Sequence, residues 1–525
     1  MPDERPPSLW WSMWKRFLIA AVLIVALSGA ATATVALNTV GGIAADVFPA
    51  LNRINAPKGL ITPEYNGGPE TFLVLGSDRR EGSKNSEERE SSPHSDTILL
   101  IRFDPAQGQT SVLSIPRDLL VSSIVAPNGA IYGDEKINAA YTVGSKFGGA
   151  KGGIVLAAQT IEREVFPGLK LNGIIDVNFK GFIQVVDTLG CAYVNVDHRY
   201  YNENVGTTET DYTSINLQPG YQKLCYENAL DYVRYRHDDS DFVRVARQQD
   251  FLRDLREQID PSNEIGQIET VAKAVGHAIV QAGFSGSASE LIELTKLIAF
   301  SQSKPLRQVK FLTTEVNAQV KGGSYVTSNA ELEKQTLDNF LYGHEQLQLP
   351  SPSPVSHASH HSSHTHHGGH ASGGSDASYL HALNLYSTSP SDESEMVKAA
   401  LSVPFRVLYP TLQTGEAEQQ TVRPYTLDDQ QKGLHHAYVI VWQQDGLLGG
   451  YYDFEGTDWL NPPLFAHART QVIDGRDYRF VNDGSHIHVI GWRSGNVLYW
   501  LTNTLLEELS NQQMLALAKS AQPLH

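Results

Sequence analysis

Arg234, Arg236, Arg244 and Arg247 fall within 14 positions of one another in the stretch RYRHDDSDFVRVARQQ, Arg234 to Gln249. A planar guanidinium grips phosphate through paired hydrogen bonds, so such a cluster in an acidic chain suits a phosphorylated ligand. On a helix starting near Asp241, Arg244, Arg247 and Gln248 are three and four apart and share a face. The same residues would also serve as a solvated charged face paired with Asp238, Asp239 and Asp241. A second group consists of Asp78 in LGSDRR, Asp96 in HSDTILL, Arg117 in SIPRD and Lys136 in KINAAY. Hard carboxylate oxygens on two strand ends suit Mg2+, which binds through one or two carboxylates plus substrate phosphates. Together the two groups describe a pyrophosphate site, although each motif alone is common at strand starts and turns.

Short apolar runs must position these residues. TFLVLGSD (Thr71 to Asp78) and DTILLIRFD (Asp96 to Asp104) read as buried strands, and QTSVLSIPRD (Gln109 to Asp118) follows a Pro- and Gly-containing reversal. Asp78, Asp96 and Arg117 are thereby expected near strand ends. The spacing of Ile154, Val155, Ala158, Ile161 and Val165 predicts an amphipathic helix over Gly152 to Phe166. A strand over Gly173 to Phe179 and a helix over Phe182 to Gly190 follow. Further helices are predicted over Glu227 to Arg236, Phe242 to Ile259, Ile265 to Phe284 and Ala288 to Phe300, with closing strands over Val309 to Val316 and Ser324 to Val326. This alternation implies an α/β fold class, a layered α-β-α domain around a central sheet over residues 70–345.

The chain has 525 residues, enough for two or three domains at roughly 100 to 200 residues each. Its 41 Lys plus Arg against 58 Asp plus Glu leave a formal charge of -17, which excludes general binding of nucleic acid. Two cysteines, Cys191 and Cys225, exclude a cysteine-built metal or redox centre. From Phe17 to Leu37 there are 21 uncharged positions, long enough to cross a bilayer as a helix. Lys15 and Arg16 with Trp10, Trp11 and Trp14 precede it, as expected of a cytoplasmic flank with an interfacial belt. A cleaved signal peptide would have a shorter apolar run. Residues 1–16 are then a cytoplasmic tail, 38–69 an external stalk, and the rest of the chain extracytoplasmic. An exported location favours a disulfide between Cys191 and Cys225 over two buried thiols.

Residues 346–378 are rich in His, Ser, Gly and Pro and read as a linker. His357, His360, His361, His364, His366, His367 and His370 offer imidazoles to a transition metal, or simply a solvated spacer. Residues 379–525 form a separate α+β domain. It has apolar periodicity over Met396 to Pro410, strands over His436 to Gln443, Tyr478 to Asp483, His486 to Trp492 and Val497 to Asn503, and a helix over Leu505 to Ala518.

Taken in order, LGSDRR, SDTILLIRFD, SVLSIPRDL, KINAAY and YVRYRHDDSDFVRVARQQ resemble the LytR-CpsA-Psr family of cell-envelope glycopolymer transferases, over about Thr71 to Ile259. The resemblance implies transfer of a glycopolymer from a polyprenyl pyrophosphate carrier to peptidoglycan through a phosphodiester, at the outer side of the cell membrane. It implies that Asp78 and Asp96 hold Mg2+ and that Arg79, Arg117, Arg236, Arg244 and Gln248 surround the pyrophosphate. Arg117, Arg236, Arg244 and Gln248 are assigned the catalytic part. Lys136, Arg234, Asp241 and Arg247 are taken, with Arg79, as further pyrophosphate contacts. The sequence departs from the family at His94, where Arg is often found, so a phosphate contact there would be weaker or pH-dependent. Ile154, Val155, Leu156, Phe179, Phe182, Ile183 and Val186 are candidates for a lipid groove or for ordinary core. Two rival activities use the same site: hydrolysis of the pyrophosphate, and lipid binding by a non-catalytic envelope scaffold.

Overall fold

The computed structural model describes residues 53–54, 56–62, 68–77, 93–203, 214–235, 241–258, 279–283, 306–343, 374–388, 396, 399–400, 402–415, 417–429, 433–444 and 450–524. The predicted span at residues 17–37 and the His-rich segment up to residue 373 lie outside them. Among the described residues no helix is long and apolar enough to cross a membrane. The chain divides into two units. The first holds residues up to Glu345, and the second holds Gln346–His525 together with two short segments, Asn195–Arg199 and Gln218–Gln222.

The apolar runs of the first unit become β1 (Arg53–Ile54), β2 (Glu70–Ser77), β3 (Ser95–Asp104), β4 (Gln109–Ser114), β5 (Gly173–Asn178), β6 (Ile279–Ala282) and β7 (Leu306–Val309). They form one seven-stranded sheet in the order β1-β6-β5-β2-β3-β4-β7. The central strands β2 and β5 are parallel, while β3 and β4 run antiparallel to their neighbours in the β2-β3-β4 meander. Leu73, Leu75, Ile98, Leu100 and Leu113 point to one face, into a core with Tyr141, Ile154, Leu156 and Phe340. The alternating residues Phe72, Val74, Leu99, Ile101 and Val112 are buried on the other. A mixed α/β sheet covered on both faces is what the near-continuous apolar strands require.

The helices are α1 (Ala139–Thr160), α2 (Phe179–Thr188), α3 (Tyr226–Arg234), α4 (Asp241–Glu257) and α5 (Ala330–Tyr342). Helix α1 begins 13 residues before the predicted start and breaks at Gly148 and Gly149, whose backbone leaves helical geometry. It continues as a π-helical turn, Ile161–Val165. The predicted helix over Ile265 to Phe284 contains strand β6, whose four residues are too few to show a period. The strand expected at Val309 to Val316 is instead the end of β7 and the start of a hairpin, Glu315–Val320 with Gly323–Thr327. Arg53–Ile54, read from sequence as stalk, is an edge strand, too short to have left a pattern. Of the candidate groove residues, Ile154, Leu156 and Val186 are core, each at most 2% exposed. The disulfide forms between Cys191 and Cys225, with Cα atoms 4.9 Å apart.

The second unit contains α6 (Gly374–Ala382) and α7 (Asn511–Lys519). Its strands β8 (Ala417–Asp428), β9 (Leu434–Gln444), β10 (Tyr451–Thr457), β11 (Arg469–Ile473), β12 (Arg476–Asp483), β13 (His486–Ser494) and β14 (Val497–Thr502) lie in the order β8-β9-β10-β14-β13-β12-β11. It is richer in sheet than expected: β8, β10 and β11 were not foreseen. Of the periodic stretch Met396 to Pro410, Leu408–Pro410 pairs as a strand with Ala521–Pro523. Helix α7 starts at Asn511 because Ser510 and Gln513 form a reciprocal capping box there. Tyr452 and Phe454 of β10 join the aromatic core with Trp442, Trp492, Met514 and Leu517.

On the opposite face of β10, Asp453 and Glu455 are completely buried. Asn195 donates to both oxygens of Asp453 at 3.1 Å and to Thr502 Oγ1 at 2.6 Å. Glu455 Oε2 accepts from the Tyr221 backbone N–H at 3.2 Å and from the Tyr425 hydroxyl. Burial pushes Glu455 up to about 7, against the hydrogen bonds from Tyr425 and Tyr221, the Asp453 contact and the charge of Arg423. Burial, then the charges of Glu455 and Asp197, push Asp453 well up, against the bonds from Asn195 and Thr502. Glu455 therefore keeps in the folded form a proton that the unfolded chain releases near pH 4.5, and the unit loses stability as pH rises from there to about 7. Glu455→Gln should flatten this decline in urea midpoints. An unchanged slope would contradict the protonated assignment.

Candidate functional site

Strands β2, β4 and β5 end, and β3 begins, on one edge of the first sheet, at Ser77, Ser114, Asn178 and Ser95. Gly76 pairs with Thr97 and Ser77 with Ser95, which leaves Asp96 as the extra residue of a bulge. Bulges re-aim side chains and recur beside active sites. Glycine is required opposite it, since a Cβ at Gly76 would lie 2.9 Å from Thr97 Cβ.

Asp96 Oδ1 accepts from Arg117 Nη1, and Arg244 Nη2 donates to the Asp96 carbonyl at 3.2 Å. Helix α4 is pinned across the same edge. Thr97 Oγ1 donates to Gln248 Oε1 at 3.0 Å, Gln248 Nε2 donates to Val233 O at 3.0 Å, and Gln249 Nε2 donates to Ser114 Oγ at 2.8 Å. Arg117 and Arg244 are buried, whereas 31% of the Asp96 side chain is exposed. Burial alone would push the Asp96 carboxyl up. The guanidinium charges of Arg117 and Arg244, the Arg117 hydrogen bond and the charge of His94 outweigh it and hold the carboxyl below its ordinary value.

Because that pKa is depressed, Asp96 stabilises the fold above the unfolded value of 3.8, and this contribution disappears as pH falls through the lower folded value. Urea midpoints of Asp96→Asn should accordingly fall less steeply than the native ones below about pH 4. Parallel acid limbs would refute the ion pair.

Lys136 closes a hairpin of Leu120–Val125 with Ile131–Lys136, and its Nζ lies 3.0 Å from Asp118 Oδ1. Arg117 Nε lies 3.7 Å from the same oxygen, so Lys136 joins the cluster through Asp118. Two predicted phosphate contacts are turned elsewhere. Arg247 is fully buried, with Nε on the Tyr200 hydroxyl at 3.0 Å and Nη1 on the carbonyls of Tyr235 and Tyr232 at 2.9 and 3.3 Å. Its guanidinium also lies 4.4 Å from the Tyr200 ring centroid. The physical reason is angular: from Arg244, a step of three and a step of four residues diverge by about 100° around a helix. Gln248 follows the edge, and Arg247 turns into the tyrosines. Arg234 gives Nε and Nη2 to Asp231 Oδ1 at 3.1 and 2.8 Å. Asp78, Arg79 and Arg236 lie outside the described residues. Asp241 begins α4, and its side chain is not among those described. Thr97, Ser114, Asp118 and Gln249 were missed, although the doubled glutamine of RQQ and the Asp-Thr pair were visible signals. Among the described residues no three His, Cys, Asp or Glu side chains group as metal ligands.

A carboxylate paired with one buried guanidinium, with a second guanidinium on its own backbone carbonyl, thus lies at the edge of a mixed sheet. The family model LytR_cpsA_psr matches residues 50–341, and the chain belongs to that family. Among curated relatives, an uncharacterised protein of Staphylococcus aureus is 29% identical over 269 residues, covering 50% of this chain and 60% of its own length. Biofilm regulatory protein A of Streptococcus mutans is 28% identical over 275 residues, covering 51% and 62%. This chain thus spans about 60% of the length of those relatives. Among solved structures, protein gbs0355 of Streptococcus agalactiae is 25% identical with a TM-score of 0.42, covering 52% of this chain and 88% of its own. A structure of TagT bound to LI-WTA is 21% identical with a TM-score of 0.39, covering 55% and 99%.

Proposed function

We propose that this protein is a membrane-anchored, extracytoplasmic phosphotransferase that moves a glycopolymer from a polyprenyl pyrophosphate carrier to peptidoglycan. The observation that carries the reading is the meeting of Asp96, Arg117 and Arg244 at one sheet edge from segments some 20 to 150 residues apart. Membership of the family supports it further.

A hydroxyl oxygen of the acceptor sugar attacks the sugar-proximal phosphorus. The bond from that phosphorus to the bridging oxygen breaks, and polyprenyl phosphate leaves with the bridging oxygen. The proton of the hydroxyl passes to a base. Arg117 and Arg244 supply fixed positive charge where the transferring oxygens gain negative charge, the main protein contribution to phosphoryl transfer. Gln248, Gln249 and Arg247 hold α4 so that Arg244 stays against β3. Asp96 fits one ligand position for Mg2+: it is ionised, one oxygen is on Arg117, and the other carries no hydrogen bond among the described residues. The second carboxylate of the pair would be Asp78. When bound there, the ion would neutralise charge on the phosphate oxygens.

Incubating the full chain with labelled polyprenyl-linked oligosaccharide, peptidoglycan oligomers and Mg2+ tests the reading by product mass. A phosphodiester-linked conjugate is the expected product. Free oligosaccharide phosphate would indicate hydrolysis, and unchanged donor would indicate a binding protein.

A further inference from the structure

Helix α1 consists of two arms pressed together. In a straight helix, Gly144 and Gly152 would be about 12 Å apart along the axis. Here a Cβ on Gly144 would lie 2.3 Å from the Gly152 carbonyl oxygen, and one on Gly153 would lie 2.9 Å from the Tyr141 carbonyl. Close glycine packing therefore fixes the arms and presents the turn between them, Lys146 to Lys151, with sequence KFGGAK.

Phe147 at this apex is 45% exposed, and Lys146 and Lys151 beside it are exposed as well. None of the three has a hydrogen bond, ion pair or ring contact among the described residues. The 22 residues of α1 contain no Asp or Glu, in a chain with 58 of them. An exposed aromatic ring between two cations suits an anionic bilayer surface, where rings settle at headgroup level and ammonium groups meet phosphates. The first arm also touches the approach to the site, because Thr142 Oγ1 donates to the Pro93 carbonyl at 2.7 Å. Phe147 is five residues further on, about 8 Å along the axis.

We infer that the α1 apex is a second membrane contact, with Phe147 entering the headgroup layer of an anionic bilayer and Lys146 and Lys151 pairing with its lipid phosphates. Its purpose rests on the proposed function: it brings the edge carrying Asp96 toward a pyrophosphate whose lipid tail remains in the membrane.

The test uses the full chain in phosphatidylcholine nanodiscs with and without phosphatidylglycerol. A nitroxide is placed through Phe147→Cys or, as a reference, through Ile131→Cys, where the native residue is 70% exposed. With phosphatidylglycerol, the label at 147 should gain collisions with oxygen and lose them with a water-soluble nickel reagent, while the label at 131 stays aqueous. Lys146→Glu with Lys151→Glu should reverse this, at about fivefold in partitioning per lysine. Amide exchange at residues 146–151 in the unsubstituted chain should slow with phosphatidylglycerol. Equal nickel access at both labels, shielding from both reagents as in a protein contact, or indifference to phosphatidylglycerol would overturn the inference. None of these readouts needs catalysis, so failure of the transfer reaction and failure of the contact are told apart.

Discussion

Arg244→Lys should reduce the rate of polymer transfer by a factor on the order of 10²–10³. The substitution keeps a positive charge and removes the planar fork, so the loss measures geometry. Arg244 is 2% exposed, and its Nη2 reaches the backbone of the bulge that carries Asp96. A lysine ammonium there can balance the Asp96 charge but cannot hold the bulge and a phosphate oxygen together. The loss should therefore appear in kcat more than in KM, with the acid limb of the stability profile retained. A folded Arg244→Lys chain with native turnover would remove this residue from phosphate handling.

Reducing the Cys191–Cys225 disulfide, or replacing both cysteines by Ser, should cost roughly 3 to 4 kcal/mol of stability, the chain-entropy value for a loop of this size. The loop spans 34 positions and closes at the N-terminus of α3, where Cys225 is the cap residue. The adjoining turn is further tied by the Tyr226 N–H donating to Asp187 Oδ1 at 2.9 Å. Urea midpoints with and without reductant measure the effect, and coincident midpoints would show that the crosslink contributes nothing.

The sequence made the central strands legible because both of their faces are buried and every residue of FLVL or ILLI is apolar. It did not show the strand order, since non-local pairing leaves no local signal: β6 and β7 come from far along the chain to flank β5 and β4. At the site, the structure brings Asp96, Arg117 and Arg244 together. The bulge that turns Asp96 outward was invisible, because it depends on a one-residue shift between paired strands. Arg247 was misplaced because a helix face is wide enough to hold two side chains that then turn to different surroundings. In the second unit, the alternation of YYDFEGT gives no sign that its two acids are buried, and the hydrogen bonds from Asn195, Tyr221 and Tyr425 that accompany their burial come from distant segments.

That pairing also constrains biosynthesis. Asn195–Arg199 and Gln218–Gln222 leave the ribosome about 230 to 260 residues ahead of the strand holding Asp453 and Glu455, an interval of roughly ten to fifty seconds at ordinary elongation rates. The two buried acids of the C-terminal sheet are bonded by polypeptide made long before it. A fragment beginning at residue 346 would lack those covering pieces, leave both acids open to water, and be a poor candidate for independent expression.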